Sequence, residues 1–275
     1  MTSELTIEPL TPFIGAEITG VDLGEVTQKQ VTGIRAALLK HQVVFFRDQT
    51  LNQEEHIHFA RQFGELEIHP ATPKGQNNPE VLHIAHGPDS KGRENSWHSD
   101  VTWREKPSLG SILKAVEVPA VGGDTLFANM SEAYERLPDT LKEKIAGKTA
   151  VHDIARVFAG RLNKTADQLR ETYPVMEHPV VRTHPETGAS VLYVNYAFTS
   201  HIKGMDEAES EELLQTLYRT ASDPEIQCRF RWKAGSLAFW DNRACQHFAS
   251  SDYFPQVRKM ERVTIAGDRP YFRAA

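Results

Sequence analysis

The sequence predicts a mixed α+β fold: a double-stranded β-helix, or jelly-roll, core with flanking helices and insertions. Three observations predict it. From residue 98 onward, short strand candidates follow one another, several of them separated by the turn signals VGGD, PETG and KAG. Two helical inserts interrupt this run of strands. No Gly-x-Gly-x-x-Gly follows a strand and no full phosphate-cradling Gly-x-x-x-x-Gly-Lys-Ser/Thr loop occurs, which argues against a doubly wound sheet.

The elements follow in order. Residues 28–42 place Val31, Ile34, Ala37 and Leu38 on one helical face. VVFFRD, 43–48, is a short apolar strand. Residues 51–66 form a second helix, with acidic residues in its first turn. Residues 69–80 hold Pro70, Pro73, Gly75, Asn77, Asn78 and Pro79 and form a loop. VLHIAH, 81–86, is a strand. Strands are then expected at 98–103, 111–118, 124–129, 179–183, 190–194, 226–232, 236–241 and 262–266. The helical inserts are 131–147 and 206–222. No internal repeat or linker divides the chain, so residues 1–275 are read as one domain.

The charge balance excludes one class of function. Lys plus Arg is 31 and Asp plus Glu is 37, a net charge of −6. A nucleic-acid binder would need a basic face to neutralise phosphates. The opening MTSELTIEPL is neither basic nor followed by a long apolar run, so no signal peptide is expected. No apolar stretch nears the roughly 20 residues of a membrane span. Cys228 and Cys245 are too few for a disulfide framework. These features fit a cytoplasmic protein.

The chemistry-bearing residues begin at SWHSD. On a strand, His98 and Asp100 point to one face and can share a metal ion. His247, after the apolar run SLAFWD and a polar turn, is the candidate for a second imidazole. Two histidines and a carboxylate make the facial triad of non-haem Fe(II) oxygenases. Arg258 and Arg262 follow in YFPQVRKMERVTI, and a buried arginine can grip a carboxylate with two parallel hydrogen bonds.

Taken together, PFIGAEITGVDL, HQVVFFRDQ, RQFGELEIHP, WHSDVTW, GGDTLFAN, HPVVRTHPETG, LYVN and FWDNRACQH resemble segments of one family, in family order. That family is the taurine dioxygenase family of Fe(II)/2-oxoglutarate-dependent oxygenases, which also holds alkylsulfatases and aryloxyalkanoate dioxygenases. The resemblance covers nearly the whole chain. It implies that His98, Asp100 and His247 hold Fe(II), and that Thr125 and Arg258 bind the remote carboxylate of 2-oxoglutarate, with O2 as second cosubstrate. It implies that Arg262 and His69 contact the anionic head of a small organic substrate, and that Phe158 and Phe198 wall the pocket. Hydroxylation beside a sulfonate, sulfate or aryloxy group would then expel that group. A homodimer or homotetramer is also implied.

Three positions depart from the taurine enzyme. Thr72 stands in place of a tyrosine, Glu94 of an asparagine and Val157 of a serine. A substrate longer or bulkier than taurine is the expectation. The alternatives are a catalytically silent metal- and 2-oxoglutarate-binding protein on the same fold, and a zinc hydrolase. His56 and His58, His83 and His86, and a Cys245–His247 pair are read as carrying no second site.

Overall fold

The computed structural model describes residues 4–70, 72–160 and 164–274. In chain order its strands are β1 Thr6–Pro9, β2 Ala16–Thr19, β3 Val43–Phe46, β4 Leu66–Glu67, β5 Val81–His86, β6 Gly110–Glu117, β7 Thr125–Asn129 and β8 Thr149–His152. Then come β9 Met176–Pro179, β10 Val181–Thr183, β11 Ser190–Leu192, β12 Thr199–Ile202, β13 Gln227–Phe230, β14 Leu237–Asp241, β15 Cys245–Ala249 and β16 Arg258–Ile265. The helices are α1 Gln28–His41, α2 Gln53–Arg61, α3 Met130–Glu135, α4 Asp139–Ile145, α5 Ala155–Phe158, α6 Ala166–Thr172 and α7 Glu207–Thr220. The architecture is mixed α and β, with the strands grouped in sheets. Among the described residues, no helix is long and apolar enough to cross a membrane.

The large sheet runs β1-β2-β3-β14-β6-β16-β4, with β5 also paired to β16. Its β2–β3 pair is parallel. A smaller sheet runs β13-β7-β15. The segment carrying His98 lies against β15, because His98 and His247 exchange both backbone hydrogen bonds, at 3.1 and 2.8 Å.

Burial explains the central strand. All five residues of β14, LAFWD, are buried. Leu237 and Phe239 join Ile34, Leu38, Ile57 and Phe59 of α1 and α2 in one core. Ala238 and Trp240 face the other way, into a core shared with Phe45, Phe127, Phe230 and Met260. A strand covered on both faces reads as a continuous apolar run. Phe45 stacks on Phe230 across the two sheets, centroids 4.1 Å apart. Each such ring removed from water contributes about 1.5–3 kcal/mol.

The helices begin where the sequence marks them. Thr27 with Gln30 and Asn52 with Glu55 form reciprocal capping boxes at α1 and α2. Four expectations need correction. Residues 98–103 are no strand: beyond the single bridge at His98, Asp100–Trp103 form a turn, with Val101 at φ +48°. Residues 131–147 are two helices, because Pro138 adopts an extended conformation and caps α4. The second helix stops at Arg61, since Gly64 sits at φ +157° and Leu66–Glu67 pair with β16. The last strand starts at Arg258, four residues earlier than expected, because charges interrupt its apolar pattern.

Candidate metal centre

The Asp100 turn is built by one side chain. Asn242 is fully buried just after β14. Its amide oxygen accepts the Asp100 N–H at 2.6 Å. Its amide nitrogen donates to the carbonyls of Asp100, at 2.9 Å, and Ser108, at 3.2 Å. This clasp diverts the chain out of the ladder that His98 starts. Asp100 therefore meets His98 through a turn rather than through strand alternation.

Three donor atoms converge there. The nearest carboxylate oxygen of Asp100, Oδ1, lies 3.9 Å from His98 Nε2 and 4.0 Å from His247 Nε2. Among the described residues these three form the group able to hold a metal ion, with ligand atoms within 4.8 Å of one another. Such spacing suits one ion with bonds of about 2.0–2.2 Å. His98 Nδ1 is 2.7 Å from the Ser96 carbonyl, which can only accept, so Nδ1 donates there and Nε2 is the nitrogen that faces Asp100. The His247 ring is fixed by packing, 4.9 Å from Trp240 and 6.0 Å from Phe127.

The electrostatics suit a cation. Burial pushes the Asp100 carboxyl up, but Arg262, His247, His98 and His69 pull it further down, well below the usual carboxylate range. Burial, with His98 beside it, pushes His247 down to about 3. Burial and the charges of Arg262 and Arg104 push His69 down to about 4. Asp100 is thus ionised at neutral pH while His247 and His69 are uncharged. A neutral His247 imidazole beside an ionised carboxylate is donor chemistry that Fe(II) takes.

A second network stiffens the turn before His247. Asp241 is held by His184 Nε2 at 3.0 Å and by two Arg243 nitrogens at 2.9 and 2.7 Å. Arg243 also reaches Glu186 at 2.7 Å.

Arg258 and Thr125 form a separate polar patch. Arg258 is 5% exposed, and its Nε and Nη2 are buried without a hydrogen-bond partner. Burial pulls its pKa down, against Tyr253 and Glu94, which raise it. The guanidinium lies 5.8 Å from the Trp232 ring, and the indole N–H donates to Thr125 Oγ1 at 3.0 Å. Gly123, at φ +73°, lets the chain approach: a Cβ there would stand 3.4 Å from Arg258 Cδ. Buried donors without partners are costly unless a ligand meets them. The strand rise puts Arg262 about 13 Å from Arg258 on the same face of β16.

A cavity of about 370 Å³ opens on the centre. Its lining includes His98, Asp100, Arg262 and His69, and apolar walls that include Leu82, Ile84, Val157, Phe158, Leu169 and Phe198. The Phe198 ring stands edge-on to His98 at 6.4 Å. Glu94 also lines it, but its side chain is 51% exposed and lies 3.4 Å from His86. Thr72 is not among the described lining residues; its N–H bonds the His69 carbonyl at 2.9 Å and its hydroxyl is buried without a partner. His247, Thr125 and Arg258 also lie outside the lining. Sequence reasoning missed Asn242, Ser96 and Ser111, whose hydroxyl is 3.4 Å from Asp100 Oδ2. Asn242 is visible in FWDNRACQH, but the residue that it holds, Asp100, lies 142 positions earlier.

The chain is similar to known proteins along nearly its whole length. A family model described as "Taurine catabolism dioxygenase TauD, TfdA family" matches residues 6–264. An α-ketoglutarate-dependent sulfate ester dioxygenase of Pseudomonas putida is 39% identical, over 97% of this chain and 91% of the relative. An alkylsulfatase of Acinetobacter baylyi is 37% identical, over 97% and 86%. The crystal structure of a taurine dioxygenase from Burkholderia xenovorans superposes with a TM-score of 0.85 at 42% identity, covering 97% of this chain and 90% of that one.

Proposed function

The chain belongs to the taurine catabolism dioxygenase TauD, TfdA family of Fe(II)- and 2-oxoglutarate-dependent dioxygenases, and from that premise we propose that its substrate is a small organic anion with an apolar body, a sulfate ester first among them. The observation that carries this reading is the cavity, apolar along its walls and cationic at Arg262 beside the three donor atoms. Two relatives of 39% and 37% identity are named for sulfate ester and alkylsulfatase activity, which supports the same choice.

We assign the residue roles on the same reading. His98, Asp100 and His247 hold Fe(II). The bound ion, with 2-oxoglutarate and O2, supplies the oxidising power that converts a substrate C–H bond to C–OH. Arg258 and Thr125 hold the far carboxylate of 2-oxoglutarate, which gives the partnerless Arg258 nitrogens an acceptor. Arg262 and His69 take the anionic head, His69 as a neutral hydrogen-bonding group. Phe158, Phe198 and Val157 pack the apolar body. Glu94 guards the mouth from its contact with His86, and Thr72 supports the His69 turn. Oxidation at the carbon that bears a sulfate gives a product that falls apart to aldehyde and sulfate.

We read the strands as the jelly roll of this family, which the core shared by the large sheet and β13-β7-β15 and the structural likeness support. We read the chain as one catalytic domain, which a family match spanning 6–264 supports. We read it as a cytoplasmic homodimer or homotetramer, a state that size-exclusion chromatography tests.

The functional test is a panel of linear alkyl sulfates, taurine and phenoxyacetate with Fe(II), 2-oxoglutarate and O2. Succinate and released sulfate are measured together. Equimolar succinate and sulfate, rising from short to medium chains, is the expected result. Faster turnover of taurine or phenoxyacetate than of any alkyl sulfate would reject the substrate class.

A further inference from the structure

Asp100 Oδ1 serves more than the two imidazoles. Arg262 Nη1 donates to that same oxygen at 3.2 Å. Among the described residues, Asp100 is the one carboxylate within ion-pair reach of Arg262. Of the other cations near the site, Arg104 is already engaged by Glu67, while Arg93 and Lys164 line the cavity. Asp100 Oδ2 is turned to Ser111. A cation placed among the three donor atoms and Arg262 therefore draw on one oxygen.

The backbone of Arg262 cannot yield. It is paired on both sides, with Leu82 of β5 and Leu113 of β6. The side chain can, because it lines the cavity and its Nε has no partner. Two like charges on one low-dielectric oxygen oppose each other. An anion in the cavity next to Arg262 would offset its charge and draw its N–H groups away from Asp100.

We propose that Arg262 couples substrate and metal binding. Its hold on Asp100 Oδ1 weakens metal affinity, and an anionic head group in the cavity relieves that handicap. The proposal rests on the reading of Arg262 as the anion anchor. Linkage makes the effect reciprocal: the metal must tighten the anion by the same factor by which the anion tightens the metal. The residue would thus favour joint occupancy of the site over metal alone.

The test is equilibrium Mn(II) binding to the full chain, followed by the EPR signal of free Mn(II), with and without saturating hexyl sulfate. Wild type, Arg262→Gln and Arg262→Lys are compared, with circular dichroism reporting the fold. Arg262→Gln should bind Mn(II) roughly fivefold tighter or more, within the usual range of coupling factors. Hexyl sulfate should tighten Mn(II) binding to wild type by a similar factor and leave Arg262→Gln unchanged. Arg262→Lys, which keeps the charge, should bind Mn(II) no tighter than wild type. Equal or weaker binding in Arg262→Gln overturns the proposal, as does tighter binding in Arg262→Lys. The wild-type comparison decides alone if the variants unfold: no effect of hexyl sulfate on Mn(II) overturns the coupling. If Arg262→Gln binds Mn(II) tighter but hexyl sulfate equally well, the coupling is overturned because the anchor reading has failed, while the competition for Oδ1 stands.

Discussion

Asn242→Ala tests the clasp that makes the Asp100 turn. The substitution removes four hydrogen bonds, to the N–H and carbonyl of Asp100 and to the carbonyl and hydroxyl of Ser108. Asn242 is fully buried and Asp100 is 7% exposed, so water does not readily replace the lost amide. Each buried group left without a partner costs about 1–3 kcal/mol. Carbonyls keep some compensation, so the total comes to roughly 3 kcal/mol. For a chain of this size that lowers Tm by roughly 6 °C, taking about 2 °C per kcal/mol. Metal affinity should fall further than stability alone implies, by about 10–100-fold, because the ligand's orientation is lost with its support. Thermal melts and Mn(II) titrations of the variant measure both. Asn242→Asp keeps the acceptor for the Asp100 N–H but loses the three donated bonds, so it should fall between wild type and Asn242→Ala in metal affinity. A variant destabilised by less than about 1 kcal/mol, with unchanged Mn(II) binding, would refute the argument that the clasp sets the turn.

Other outcomes follow from the same geometry. His98→Ala, Asp100→Ala and His247→Ala should each lower metal affinity more than about a hundredfold and abolish 2-oxoglutarate-dependent O2 uptake, read by Mn(II) titration and an oxygen electrode. Arg258→Ala should weaken 2-oxoglutarate binding by roughly 100-fold, visible as a raised KM with little change in metal affinity. Phe158→Ala should raise the KM for hexyl sulfate by roughly 10-fold and leave that for methyl sulfate nearly unchanged, since only the longer chain reaches the ring. Buried His56 and His178 are pushed down to about 4 and His247 to about 3, each mainly by burial. The unfolded chain therefore binds protons first as pH falls below about 6.5, and stability present above that pH is lost on the way down to about 4. Roughly 1 kcal/mol per histidine, about 3 in all, should disappear between pH 6.5 and 5.5. Urea unfolding at the two pH values measures it, and a flat profile would contradict the buried, neutral histidines.

Much of this was legible in the sequence because it rests on side-chain type. Apolar periodicity marked α1, and the fully apolar VVFF and LAFW marked the two strands that share the central cores. His98, Asp100 and His247 are donor residues by side-chain type alone. What stayed hidden depends on partners distant in sequence. β16 begins with Arg258 and Lys259, whose charges mask a strand that is stabilised by β5 and β6 on either side. β15 buries Gln246 and His247 on its two opposite faces, so its polarity disguises its burial. The turn at Asp100 could not be read, because the residue that bends it arrives 142 positions later. The pairing of Arg262 with Asp100 was invisible for the same reason.

The shared bridge between His98 and His247 has a consequence for the ions the site can accept. Two reciprocal backbone hydrogen bonds make the imidazoles one rigid jaw, whose gap is set by the sheet. Asp100 sits on a turn and forms the opposing jaw, adjustable through its clasp. Ions of different radius should therefore be met by movement of the carboxylate alone. Loosening the clasp should blur the choice among divalent ions, while the imidazole spacing stays as the strands fix it.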